Sequence, residues 1–366
     1  MDRTLIGLTG NIATGKSVVR RMLVNHGALG LDADLIAHRT LYPGSRAYHP
    51  VIQAFGRDVL APNGDINRAK LGEIVFSDPQ KLEILETLTH PAVTADIRER
   101  IAAARLPLVV IEAIKLLETP LADLCQSIWI SQASEAHQME RLLHARHMTE
   151  AQARQRISAQ PPQAEKRQRA NVVINTEGDF RATWRQIRQA LNDTIQAESV
   201  LHPPYINIDQ KWTASPAGAL SDEALEDFWQ AHSGQTVEAL YETLAFNTVQ
   251  AVAEGAKPRA LLICEDWNFT STLKAVLIAP EAQLPLPAIL NAFEAAALRR
   301  QSEFLILSDP VSRAAFAGLN PADFGFEPKL AEQVSFTAWR QAIARAAGQP
   351  GDPVWAKAIA QPFGQS

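Results

Sequence analysis

Residues 9 to 17 read Thr-Gly-Asn-Ile-Ala-Thr-Gly-Lys-Ser, with the glycines at 10 and 15 followed directly by a lysine and a serine. Gly10-x4-Gly15-Lys16-Ser17 is the P-loop spacing. Its glycines let backbone N–H groups turn inward around phosphate oxygens, its lysine reaches the β- and γ-phosphates, and its hydroxyl ligates Mg²⁺. Leu5–Leu8 is an apolar run ahead of the loop, and Lys16–His26 carries a helical pattern behind it. That helix would aim its positive N-terminal end at the same anion. The chemistry expected is phosphate binding. The loop by itself suits switch GTPases, motor ATPases and small-molecule kinases equally.

Asp32-Ala33-Asp34 ends a second short apolar run, Ala28–Leu31. In a parallel sheet that position lies at the carboxyl edge beside the first strand's loop, where ligands bind. A carboxylate there can take the proton of an attacking hydroxyl and hold its oxygen in line with a γ-phosphate. The competing role, a cap on the helix over Leu35–Thr40, is plausible for Asp32. Basic residues concentrate between Arg141 and Arg188. Arg141 and Arg146 there could stabilise charge spreading over the transferring phosphoryl oxygens, or could lie on a solvated basic helix. His38, His144 and His147 are not spaced like metal ligands, so no metal beyond Mg²⁺ is expected.

These groups need elements to hold them. Apolar runs at Thr4–Leu8, Ala28–Leu31, Pro107–Ile111, Ser127–Ile130 and Val172–Ile174 read as strands, separated by helical stretches. The longest runs from about residue 47 to 104, with turns at Pro62-Asn63-Gly64 and Ser77-Asp78-Pro79. Such alternation predicts an α/β fold with a doubly wound, mainly parallel sheet. Near Glu198–Tyr205 the pattern breaks at Pro203-Pro204, which marks a linker. The expected division is 1–197 and 198–366. The second part reads as α+β, with helices over Asp222–Ala231, Val237–Ala253 and Pro287–Arg300. Its strands are expected at Arg259–Cys264, Leu273–Ile278 and Phe304–Leu307, and residues 347–366 read as a loosely held tail.

At 366 residues, 46% hydrophobic and 20% charged, the chain has the composition of a soluble globular protein. No apolar run approaches the roughly 18 residues of a membrane span, and the N-terminus has no signal-peptide pattern. Cys125 and Cys264 are too few for a disulfide framework or a zinc cluster. A cytoplasmic location is expected. Residues 1–197 hold 24 Lys and Arg against 21 Asp and Glu, leaving 11 against 19 for the remainder, so net +3 and −8. An acidic second half argues against nucleic-acid binding there.

Several stretches of the first half carry a resemblance: "LTGNIATGKS", "LDADLIAH", "FGRDVLAPNGDINRAKLGEIVF", "THP", "RLLHARHMTEAQARQRISAQ" and "ANVVINTEG". In order and spacing, residues 3 to about 195 resemble the dephospho-CoA kinases, which complete coenzyme A biosynthesis. The resemblance implies a P-loop NTPase-type sheet with helical acceptor and lid regions, and ATP-dependent phosphorylation of the ribose 3′-hydroxyl of dephospho-CoA. It implies that Gly10, Asn11, Ile12, Ala13, Thr14, Gly15, Lys16, Ser17 and Val18 bind ATP with Arg141 and Asn175. Asp34 would be the base, with Lys16 and Arg146 acting on the phosphate. Asp34, His38, Gly64, Asp65, Arg68 and His90 would hold the acceptor, and Glu112 would contact Mg²⁺ through water. The sequence departs from the family at Asn11 and Val18, in the strand "VVIEAIKLLE", and at Ala170-Asn171. None of these removes a group the chemistry requires.

The second half weakly resembles a degenerate GNAT-type acetyltransferase, in element order and in "DFGFEP" (Asp323–Pro328). Where that fold needs a glycine turn for pyrophosphate, this chain has "APEAQLPLPA" without glycine, so acyl transfer is not expected. The resulting expectation is a soluble kinase with ATP, Mg²⁺ and a small-molecule substrate, and neither nucleic acid nor membrane as partner. The alternatives are a P-loop kinase for another hydroxyl acceptor, or a non-catalytic nucleotide-binding module.

Overall fold

The computed structural model describes residues 3–194, 206–207, 212–255, 257–282, 284, 286–308, 320–334, 337–347 and 354–360. The expected linker at Glu198–Tyr205 lies outside these residues.

In the first half, strand β1 (Thr4–Thr9) leads through the glycine loop into helix α1 (Lys16–Asn25), and β2 (Leu29–Asp32) leads into α2 (Ala33–Arg39). Then come α3 (Tyr48–Phe55), α4 (Arg68–Phe76) and α5 (Pro79–Ala103), followed by β3 (Leu108–Glu112) and β4 (Ser127–Gln132). Helices α6 (Glu135–His144), α7 (Glu150–Ser158) and α8 (Gln163–Arg167) precede β5 (Val172–Asn175) and α9 (Phe180–Thr194). The five strands form an all-parallel sheet in the order β2-β3-β1-β4-β5. It is covered on both faces, as parallel sheets require. Ile6, Leu8, Leu108 and Val110 face α1 and α9, while Leu5, Val109 and Ile111 face the α2–α5 side. The alternation along β1 and β3 is the two-residue period of a strand.

Turns fall where the sequence places them. Gly64 has φ +85° beside the Leu60–Ile66 bridge. Asp78 caps α5 by accepting from the N–H groups of Gln80 (3.0 Å) and Lys81 (3.4 Å), with Pro79 in the first turn, where no N–H is needed.

The second half contains β6 (Ile206–Asn207), β7 (Thr213–Pro216), α10 (Asp222–Ser233), α11 (Val237–Phe246), β8 (Thr248–Glu254), β9 (Lys257–Trp267) and β10 (Thr270–Ile278). It continues with α12 (Leu286–Arg299), β11 (Phe304–Leu307), β12 (Glu327–Lys329), α13 (Thr337–Ala346) and β13 (Val354–Ala358). Its strands run β12-β13-β11-β10-β9-β8-β7-β6. β10 and β11 pair in parallel, and the other described pairs are antiparallel. This is the α+β class expected.

Two expectations are corrected. The helix expected over Val237–Ala253 stops at Phe246, because Asn247 is extended (φ −127°, ψ 158°) and Thr248–Glu254 pairs with β9 along its length. β-branched Thr248, Val249 and Val252 suit a strand flanked on both faces. The expected loose tail contains β13, inserted between β11 and β12 with Val354 and Ala356 buried.

The halves share a large apolar cluster. Trp184 and Ile187 of α9 and Leu23 of α1 pack with Leu225, Trp229, Leu240, Leu244 and Val249. His26 stacks on Trp184 at 4.1 Å between ring centroids. Asn25 donates to the carbonyls of Leu244 (2.8 Å) and Asn247 (2.9 Å) and accepts from the Val249 N–H (2.7 Å). Nearby, Arg39 donates to both oxygens of the fully buried Glu303 (2.8 and 2.9 Å), and Arg100 reaches the same carboxylate at 3.3 Å.

Candidate active site

The glycine loop is built by backbone that side chains resist. Gly10 has φ +153°, and a Cβ there would lie 2.5 Å from Ser131 Oγ and 2.6 Å from its carbonyl oxygen. Gly15 has φ +83° in the left-handed region, where glycine adds no steric penalty. Lys16 Nζ donates to the carbonyls of Gly10 (3.0 Å) and Asn11 (2.9 Å). The lid region clasps the same loop. Asn11 Nδ2 donates to Pro161 O (2.9 Å), and the Ile12 N–H donates to Gln160 Oε1 (2.7 Å).

Beyond the loop lies a cavity of about 1070 Å³, room for a nucleotide and part of an acceptor. Its wall holds Lys16, Ser17, Asp34, His38 and Glu112, with Arg141 and Arg146 on the lid side. Ser17 Oγ donates to Glu112 Oε1 at 2.9 Å, and Arg20 Nε donates to the other oxygen at 2.6 Å. The adjacent hydroxyl and carboxylate are hard oxygen donors of the kind Mg²⁺ takes, alongside phosphate and water.

The two acids after β2 have separate environments. Asp32 caps α2, accepting from the Leu35 N–H at 2.9 Å, and pairs with Arg20 at 3.5 Å. Asp34, two residues on and about half a turn round the helix, faces the cavity. Burial, reinforced by the charges of Asp32 and Glu112 and opposed by Lys16, pushes its carboxyl up to about 6. Burial also lowers Lys16 to about 8, against the attraction of Glu112 and Asp34. A carboxyl that titrates near neutrality is suited to accept a proton and pass it on.

His38 lines the cavity, and Arg68 donates to its Nε2 at 2.7 Å. Burial, aided by the Arg68 charge, lowers His38 to about 4 and keeps it a neutral acceptor. Arg68 touches His38 and does not itself line the cavity wall. Asp65 instead accepts from Thr337 (2.9 Å) and Arg340 (2.8 Å) of the second half. Gly64 forms the turn beside it, with its carbonyl accepting from Tyr48 (2.5 Å), and His90 is exposed on α5. None of Gly64, Asp65 and His90 lines this cavity.

Arg141 donates to the Ala13 carbonyl (3.0 Å) and Thr176 Oγ1 (3.1 Å), and also to the Thr176 carbonyl. It braces the loop from the lid side, while Arg146 stands exposed at the cavity. Asn175 turns to its own chain, accepting from the Glu177 N–H at 2.8 Å. The wall there is made by the residues just after it: Thr176, Gly178 and Phe180. These, with Arg181, were not among the expected site residues, while Arg156 and Gln160 fall in the expected lid stretch without an individual role. The available signal was their position immediately past the fifth strand or beside the expected lid. Glu238, Tyr241, Glu242 and Phe246, contributed by α11 of the second half, carried no local signal at all.

A family model for dephospho-CoA kinase matches residues 4–181. A dephospho-CoA kinase from Streptomyces avermitilis is 41% identical over 191 residues, covering 52% of this chain and 93% of that protein. The crystal structure of TT1252 from Thermus thermophilus is 27% identical with a TM-score of 0.48, covering 53% of this chain and 99% of that one. The ribosomal-protein-S18-alanine N-acetyltransferase of Escherichia coli is 15% identical with a TM-score of 0.29, covering 41% of this chain and 96% of its own. No described helix is long and apolar enough to cross a membrane. With a glycine loop, an ionisable acid and two lid arginines set around one cavity, and with relatives matched over nearly their whole length, the chain belongs through its first half to the dephospho-CoA kinase family, whose members are transferases.

Proposed function

We propose that the first half transfers the γ-phosphoryl group of ATP to the ribose 3′-hydroxyl of dephospho-CoA, giving CoA and ADP in the last step of coenzyme A biosynthesis. The observation that carries this is the placement of Asp34 on the wall of the cavity that holds Lys16 and Ser17, with its carboxyl raised to about 6. The 3′-oxygen attacks the γ-phosphorus, its proton passes to Asp34, and the bond to the β–γ bridging oxygen breaks as ADP leaves. Positioning and charge stabilisation supply most of the rate in such transfers. The N–H groups of residues 10–18 and Lys16 hold the phosphates, and Arg146 offsets charge on the γ-phosphoryl oxygens. Mg²⁺ would be held by Ser17 Oγ and, through water, by Glu112, and would neutralise the phosphates. His38, oriented by Arg68, faces the acceptor.

Residues 1–197 form the kinase unit and 198–366 a second α+β unit, in a cytoplasmic enzyme acting on a small molecule. The test is ADP release by the full chain with dephospho-CoA, nucleosides and sugar acids as acceptors in parallel. Turnover on dephospho-CoA with a product phosphorylated at the 3′-oxygen is expected. Activity on another acceptor and none on dephospho-CoA would replace this reading. ATP binding without any turnover would reduce the protein to a nucleotide-binding module.

A further inference from the structure

The cavity has two ends, set by the strand order. Asp34 and His38 follow β2 at one edge of the sheet, β1 with its glycine loop is central, and Thr176 to Phe180 follow β5 at the other edge. A triphosphate gripped at Lys16 and directed at Asp34 must carry its base toward the β5 side. There the wall passes from the first half of the chain to the second. Glu238, Glu242 and Phe246 recur every four residues along α11, so they share one helix face. All three line the cavity. The opposite face, with Leu240 and Leu244, is buried in the core shared with α1 and α9.

Phe246 remains 55% exposed although its helix is otherwise anchored. Its ring meets that of Phe180 edge to face, 5.4 Å between centroids at 83°. The helix is fixed at this mouth by an interlocked group. Arg181 donates to both oxygens of Glu226 at 2.7 Å, and the Tyr241 hydroxyl donates to one of them at 2.7 Å. An open aromatic face beside two carboxylates, on a helix continuous with a phosphate cradle, matches a purine that turns a 6-amino group rather than a 6-carbonyl toward the carboxylates, as adenine does and guanine does not. The ring supplies a stacking surface indifferent to base identity, and the carboxylates accept from an N–H donor and repel a carbonyl oxygen.

We propose that α11 completes the base subsite of the nucleotide site, with Phe246 packing on the adenine ring and Glu242, supported by Glu238, accepting from its amino group. This rests on the reading that the P-loop holds ATP. It makes the second half of the chain a specificity-determining part of the nucleotide site.

The test uses the full chain and direct binding of ADP, GDP and inorganic pyrophosphate by calorimetry, beside steady-state kinetics. Phe246→Ala should weaken ADP about ten-fold and leave pyrophosphate unchanged, while Phe246→Tyr keeps ADP affinity. Glu242→Gln should narrow the preference for ADP over GDP by about ten-fold. Phe76→Ala, which removes a phenylalanine 81% exposed on α4 away from the cavity, should change nothing. Binding of ADP by Phe246→Ala within about two-fold of wild type, or equal weakening of pyrophosphate, overturns the inference. Should Phe246→Ala fail to fold, Glu242→Gln decides, and an unchanged ADP-to-GDP ratio rejects it. The binding readout needs no acceptor. Loss of ADP affinity in a protein inactive on dephospho-CoA would therefore keep the base subsite and reject the phosphotransfer reading.

Discussion

Asp34 and Glu112, in the first half, stand on the wall of a large cavity, with a lysine, a serine and two lid arginines around them. In the second half two acids, Glu303 and Asp266, are spent on the seam between the halves. Glu303 is buried between Arg39 and Arg100. Asp266 is half-buried, and the loss of solvent would raise its carboxyl, but Arg300 and Arg21, with hydrogen bonds from Ser271 and Thr248, hold it below the usual carboxylate range. Both halves are sheets flanked by helices, so the architecture does not separate their roles. Accessibility does. A carboxylate that faces a cavity and titrates near 6 can exchange a proton with a ligand, whereas one locked to two guanidinium groups can only hold elements together. Arg39 lies on the same helix as Asp34 and His38, so the seam also fixes the helix that presents the proposed base.

The sharpest way to break this contrast is to exchange the charge on each side. Asp34→Asn should lower kcat on dephospho-CoA by about 10²–10⁴ while ADP binding and the unfolding midpoint stay near wild type. Unchanged turnover would remove Asp34 from the chemistry. Glu303→Ala withdraws the carboxylate shared by two buried arginines and should cost about 3–5 kcal/mol of stability in urea unfolding. A loss below about 1 kcal/mol would mean that the pairs behave as surface ion pairs do.

Smaller effects sharpen the comparison. Gly218 sits where an added Cβ would lie 2.3 Å from His26 Nδ1 and 2.8 Å from the Asn25 carbonyl oxygen. Gly218→Ala should therefore destabilise by about 1–3 kcal/mol, measured by thermal unfolding. An unaltered melting temperature would mean that the seam gives way easily at this point. Finally, kcat/KM for ATP should be bell-shaped. Asp34 must be ionised, so activity rises through about pH 6, and Lys16 must be charged, so it falls through about pH 8. Each limb should approach ten-fold per pH unit. An acid limb that persists in the residual activity of Asp34→Asn would assign that titration to another group.

The sequence was sufficient for features whose cause is local. Gly10 and Gly15 announce the phosphate loop because few other residues tolerate that backbone. The apolar runs Pro107–Ile111, Ser127–Ile130 and Val172–Ile174 announce parallel strands, most clearly the first, whose residues are apolar on both faces. Asp32 and Asp34 were legible as a pair, and capping was the expected alternative for Asp32, which does hydrogen-bond to the Leu35 N–H. Strand β13 was not legible, since a stretch rich in proline and glycine gives no period until neighbouring strands fix it.

Convergence, meaning which of the chemically able groups face one space, came from the packing of the whole molecule. It turned Asn175 to its own chain, paired Asp65 with Arg340, left His90 on an exposed helix and brought Phe246 to the mouth of a cavity that starts at residue 12. Local spacing fixes the backbone of a loop or strand because those constraints act between neighbours in the chain. The direction of a side chain across hundreds of residues depends on how whole faces pack, and that information is spread over both sheets.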